Sequence, residues 1–193
     1  TNTGSVDVQS GTLRLLTGAT HTGTFDCTGA TLNFGGGTQN LSALNTLTGT
    51  NVTFSGATVN LPGGYNITGT TSLTGGVANF TGTLAGIGTI QLSNATLNLS
   101  NTEGTVSQTT FTQPSGTLTG SSDFNISGNF TWTGGAQTGT GETNANGGLT
   151  LSGAGGKSLQ RTLNNPGLAT YSGTGILTLA SPGVFNNLST ATF

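Results

Sequence analysis

The chain has 193 residues, enough for one sizeable domain. Charged residues make up 4% of it and the net charge is −2, against about a quarter charged in an ordinary globular domain. The 3 basic residues, Arg14, Lys157 and Arg161, cannot neutralise a run of phosphates, so nucleic acid is excluded as a partner.

Polarity comes instead from hydroxyls and amides, with 42 Thr and 35 Gly. A mean hydropathy of −0.03 with so small a charge does not fit charge-driven disorder. No stretch approaches the ~18 consecutive apolar residues of a membrane span. No basic segment followed by an apolar one marks a signal peptide. The chain starts at Thr1 and holds no Met, so it reads as a processed product or a segment of a longer polypeptide. Cys27 is alone, which leaves no disulfide framework and no cysteine metal site.

Helix signals are nearly absent, because Thr and Gly are poor helix formers. Short apolar–polar alternation remains, the signature of half-buried strands. The first such strand is Ser5–Gln9, which alternates Val6 and Val8. One phrase then recurs along the chain: Gly-x-Thr, an aliphatic residue, a polar one and another apolar one. It stands at Gly11-Thr12-Leu13-Arg14-Leu15, at Gly29-Ala30-Thr31-Leu32-Asn33-Phe34 and at Gly56-Ala57-Thr58-Val59-Asn60-Leu61. Later copies are Asn94-Ala95-Thr96-Leu97-Asn98-Leu99 and Gly147-Gly148-Leu149-Thr150-Leu151.

The spacing sets the architecture. Leu13, Leu32, Val52, Leu73, Ile90 and Phe111 follow at steps of 19, 20, 21, 17 and 21 residues. Val59, Ala78, Leu97 and Leu118 step by 19, 19 and 21, and Tyr65 and Leu84 are 19 apart. Three interleaved series with one step predict an all-β, right-handed parallel β-helix with three short strands per coil of about 20 residues. Leu32, Val52, Val59, Leu97 and Leu118 are expected inward, with Gly and Asn at corners that need φ > 0. One domain over 1–193 is expected. The regularity fades after Phe130-Thr131-Trp132. Gly134–Gly148 holds no large apolar residue and reads as a projecting loop, with Glu142 and Asn144 as its lateral contact residues.

The phrases "SGATVNL", "SNATLNLS" and "GGLTLSGAG" resemble the β-strand repeats of bacterial surface proteins, such as autotransporter passengers and filamentous-haemagglutinin-like proteins. The resemblance implies a right-handed parallel β-helix displayed outside a bacterial cell, and it transfers no functional residue.

Catalytic readings find little. Paired carboxylates must converge, and of Asp7, Asp26, Glu103, Asp123 and Glu142 only Glu103 and Asp123, 20 residues apart, are spaced to stack on neighbouring coils. His21, Asp26 and Cys27 contain the residue types of a nucleophile site, but alternation puts Phe25 and Cys27 inward. Gly155-Gly156-Lys157-Ser158 lacks the leading Gly of a phosphate-binding loop, since Leu151 stands there. Nine Asn-x-Ser/Thr triplets, among them Asn40, Asn79, Asn98 and Asn125, follow from outward Asn and Thr flanking an inward residue. Thr-x-Thr pairs such as Thr131/Thr133 suggest a water-ordering face, although many bracket a Gly and read as corners.

The expectation is therefore a non-enzymatic extracellular fibre or adhesin stalk, without cofactor or metal. Its partners are other copies, adjoining repeats and surface glycans. An ice- or glycan-binding module is the alternative, and a carbohydrate-active enzyme is a third. Neither end shows a helix or charged cap. Val6 and Val8 at one end, and Phe185, Leu188 and Phe193 at the other, are the expected self-association residues.

Overall fold

The structure, a computed structural model, describes residues 1–188. Among them there is no helix. Parallel strands stack in about 10 coils of about 19 residues, which makes the fold a β-solenoid. The chain divides into two compact units, Thr1–Glu103 and Gly104–Phe193.

In the first unit the core columns run in register from coil to coil, broken at the corners by register shifts such as the one between Cys27 and Thr31. Leu13 pairs with Leu32, and Leu32 with Val52. Val59 pairs with Ala78 and Ala78 with Leu97, while Tyr65 pairs with Leu84. Leu32, Val52, Val59 and Leu97 are fully buried. Each coil alone cannot cover its apolar stripe, so the stack is the unit of stability. Aromatic rings lock the column: Phe34 stacks on Phe54 at 5.5 Å, and Tyr65 meets Phe80 edge-on at 4.9 Å.

The uneven steps of 21 and 17 around Leu73 have a physical cause. The residue above Val52 and below Ile90 is Thr71, not Leu73. Leu73 belongs to the next column, between Phe54 and Leu92. Thr71 is fully buried, donates to the Ile87 carbonyl at 2.6 Å and shares a hydrogen bond with the Tyr65 hydroxyl at 2.8 Å. A satisfied hydroxyl costs little inside a core, so Thr stands where the apolar pattern implies Leu.

Outside, amides form a chain along the stack. Asn60 donates to Asn40, Asn79 to Asn60 and Asn98 to Asn79, at 2.7–3.1 Å. Most of these Asn belong to the sequence triplets, and their amides are spent on one another. Corners turn at glycine where no other residue fits. Gly37 has φ +67, and a Cβ there would collide with the Gly18 backbone. Gly49, at φ +147, lies against the Cys27 sulfur.

In the second unit Leu118 is fully buried, and Phe111, Phe130 and Trp132 stack at 5.5 and 6.0 Å. The segment 134–148 does not project. It contains the strands Gly135–Gln137 and Thr143–Ala145, each paired in register on both sides. Apart from Ala145, its buried side chains are polar. Gln137 donates to Gln113 at 3.1 Å and accepts from the Thr143 hydroxyl at 2.8 Å, and all three are fully buried. A closed network of this kind replaces large apolar residues without leaving an unpaired group. Asn144 is part of a second amide chain, Asn125–Asn144–Asn164–Asn186, at 2.8–2.9 Å. Glu142 is exposed and its carboxylate accepts from Asn164 at 2.8 Å.

Candidate functional site

Two of the expected self-association residues, Val6 and Phe185, lie on strands that are paired on one side only among the described residues. Among the described residues, Ser5–Asp7 and Thr12–Leu15 pair only with the coil that follows them. Ala169–Tyr171, Leu177–Leu179 and Val184–Asn187 pair only with the coil that precedes them. Val6 is half-buried above Phe25, and Phe185 is half-buried below Leu163. Val8 is buried, its amide donating to the Asp26 carbonyl at 2.7 Å. Leu188 is exposed. Phe193 lies outside the described residues.

Tyr171 and Leu179 add to this edge and were not anticipated. Tyr171 stacks under Leu151 and Leu179 under Leu159, and both partners are fully buried. Tyr171 itself is 43% exposed and Leu179 52% exposed. They are core-column residues with no following rung among the described residues. The 20-residue step from Leu151 and Leu159 carries that signal in the sequence.

The candidate catalytic residues do not assemble. His21 accepts the Asn2 amide at Nδ1 (3.2 Å), so its Nε2–H faces the Gln39 carbonyl oxygen at 2.9 Å. Both ring nitrogens are thereby occupied. The Cys27 sulfur contacts the Thr48 and Asn51 carbonyls at 3.4 Å, and burial pushes its thiol up, away from thiolate chemistry. Asp26 turns outward to Thr28. Lys157 opens a strand rather than a helix, and its ammonium donates to the Gly155 carbonyl at 3.1 Å.

Asp123 and Glu142 do come together with Arg161, a grouping the sequence reading missed. Phe124 pairs with Thr143, which sets Asp123 beside Glu142 one coil on, and Asp123 accepts the Glu142 amide at 2.9 Å. Arg161 is 2% exposed. Its guanidinium donates to the carbonyls of Gly141 at 2.7 Å and of Ser122 and Glu142 at 3.0 Å. Burial lowers its pKa to about 10, and the two carboxylates oppose the shift. Through Nε and one Nη the guanidinium fastens corner backbone from three successive coils, while its Nη1 is buried without a hydrogen-bond partner.

The remaining acids shape the pH response. The Thr28 hydroxyl and amide hold Asp26 below its ordinary value, and the Asn101 amide does the same for Glu103. A carboxylate with a folded pKa below its unfolded one contributes stability above the unfolded value, and that contribution is lost as pH falls through the folded one. With 5 acids in the whole chain, the melting temperature is expected to stay level between about pH 5 and pH 8 and to fall only below about pH 4. Thermal denaturation followed by circular dichroism checks this; a steep decline between pH 7 and 5 would contradict it.

No protein-family model matches the chain, and neither a curated protein nor a solved structure matches it.

Proposed function

We propose that the chain is an extracellular structural element. It is a length of surface fibre or adhesin stalk whose coils are continued by another copy or by adjoining repeats. The observation that carries this reading is the pair of core columns that the described residues leave uncovered at Tyr171 and Leu179. An open strand edge beside exposed apolar residues is a template for further pairing. Natural solenoids close their ends with polar caps. Head-to-tail pairing does not close on itself, so it generates a filament. A net charge of −2 opposes association little. The resemblance to bacterial surface repeats supports display outside the cell.

Sedimentation velocity over rising concentration tests the reading. The full chain is expected to move into progressively larger species. Leu179→Lys and Val6→Lys place a charge on each open edge and are expected to weaken association at least ~10-fold. The melting temperature should hold, because neither side chain is fully buried. A monodisperse monomer at every concentration contradicts the reading.

One observation favours a second reading. Thr112, Thr131, Thr150 and Thr170 form a single outward column in register. Evenly spaced hydroxyls on a neutral sheet order water, which is the requirement for an ice-binding face. Inhibition of ice recrystallisation by the full chain, lost in Thr150→Tyr, would support it; unhindered crystal growth would dismiss it.

A further inference from the structure

The second unit carries a lateral groove of about 540 Å³, lined by Ser107, Gln108, Thr109, Asn125, Ser127 and Asn146. We infer that this groove binds a neutral oligosaccharide, a site separate from the coil edges and independent of any assembly through them.

The register builds the groove from three successive coils. Ser107 pairs with Asn125, and Ile126 pairs with Ala145, which brings Asn146 onto the next rung. Three rungs at the strand spacing of ~4.8 Å give a floor about 10 Å long, parallel to the stack. That length and volume suit two or three sugar rings.

The lining chemistry selects the ligand. All six side chains are hydroxyls or amides, and no charged or aromatic residue lines the groove. Among the described residues, the Ser107 and Thr109 hydroxyls and the Asn146 amide make no side-chain hydrogen bond, although other Asn on this face are tied into the amide chain. Asn125 gives its carbonyl oxygen to Asn144 and lines the groove, and its NH₂ makes no side-chain hydrogen bond among the described residues. An amide presents a donor beside an acceptor, the arrangement that meets two adjacent hydroxyls of a pyranose ring. An anionic sugar would find no cation here to offset its desolvation. Recognition is therefore by hydrogen bonds alone, and affinity is low because water competes for each of them.

The test is a titration of the dilute full chain with cellotriose, chitotriose and maltotriose, followed by amide chemical shifts. At least one of these neutral trisaccharides is expected to give saturable shifts confined to residues around Ser107, Asn125 and Asn146. Asn146→Ala, at an exposed turn, is expected to weaken binding by ~5-fold, as befits loss of about one or two hydrogen bonds. Ser107→Tyr, which fills the groove from an exposed strand position, is expected to abolish binding with the melting temperature unchanged. A trigalacturonate should bind no better than the neutral sugars. The inference is overturned by the absence of saturable shifts with all three sugars, by binding that both variants leave intact, or by preference for the uronate. None of these outcomes bears on the sedimentation experiment, so the groove and the fibre stand or fall separately.

Discussion

Replacement of Trp132 by alanine is expected to lower the melting temperature by ~10 °C. Trp132 is the largest fully buried side chain. It stacks on Phe130 at 6.0 Å, and its indole N–H donates to the Gly134 carbonyl at 2.9 Å. Truncation of a buried Trp costs about 3–5 kcal/mol in lost burial and residual cavity. For a chain of this size each kcal/mol corresponds to about 2–4 °C. Trp132→Phe keeps the stack and loses the hydrogen bond, so a much smaller shift of about 1–2 kcal/mol is expected. Equal losses in the two variants would show that the ring stack contributes little. Differential scanning calorimetry reads both.

Arg161→Ala is expected to be the most damaging change to a charged residue. It removes a donor from the carbonyls of Gly141, Ser122 and Glu142 at once, of which the Glu142 carbonyl keeps the Phe124 amide. Hydrogen bonds to a charged donor contribute about 1.5–3 kcal/mol each. A loss of roughly 3–5 kcal/mol follows, seen as a lower denaturation midpoint in urea. Arg161→Lys is not expected to rescue it, because an ammonium cannot reproduce the planar fork that reaches three carbonyls. Full stability in Arg161→Lys would mean that charge, and not geometry, holds the corner.

These two residues mark what was legible in the sequence. Trp132 sits in an apolar–polar alternation, and its burial could be read from Phe130-Thr131-Trp132 alone. Arg161 could not, because in a charge-poor chain a lone cation reads as surface. The partners that justify its burial are backbone carbonyls, which no side-chain pattern announces. The columns through Leu32, Val52, Val59 and Leu97 were visible because aliphatic residues repeat at the coil length. Thr71, Gln137 and Thr143 were invisible for the converse reason. Polar residues fill core positions there through hydrogen bonds to each other, to Gln113, to Tyr65 and to the Ile87 carbonyl. The segment 134–148 was misread as a loop on that account. Val6 and Phe185 are placed near the edges by chain order, whereas Tyr171 and Leu179 join the core columns of Leu151 and Leu159 only through the 20-residue step that the register makes plain.

The groove residues illustrate a different limit. Ser107, Asn125 and Asn146 lie 18 and 21 residues apart in sequence, close to the coil length, yet Ser and Asn recur at such spacings throughout the chain. Only the folded register gathers them into a concave cluster, which shares Asn125 with an amide chain.

Fibre diffraction from the concentrated, aligned full chain tests the central claim most directly. If coils continue across the open edges, strands lie across the fibre and repeat along it, and a meridional reflection near ~4.8 Å is expected along the fibre axis. Leu179→Lys should abolish that order. Diffuse scattering from discrete particles, with no axial reflection at any concentration, would contradict the account.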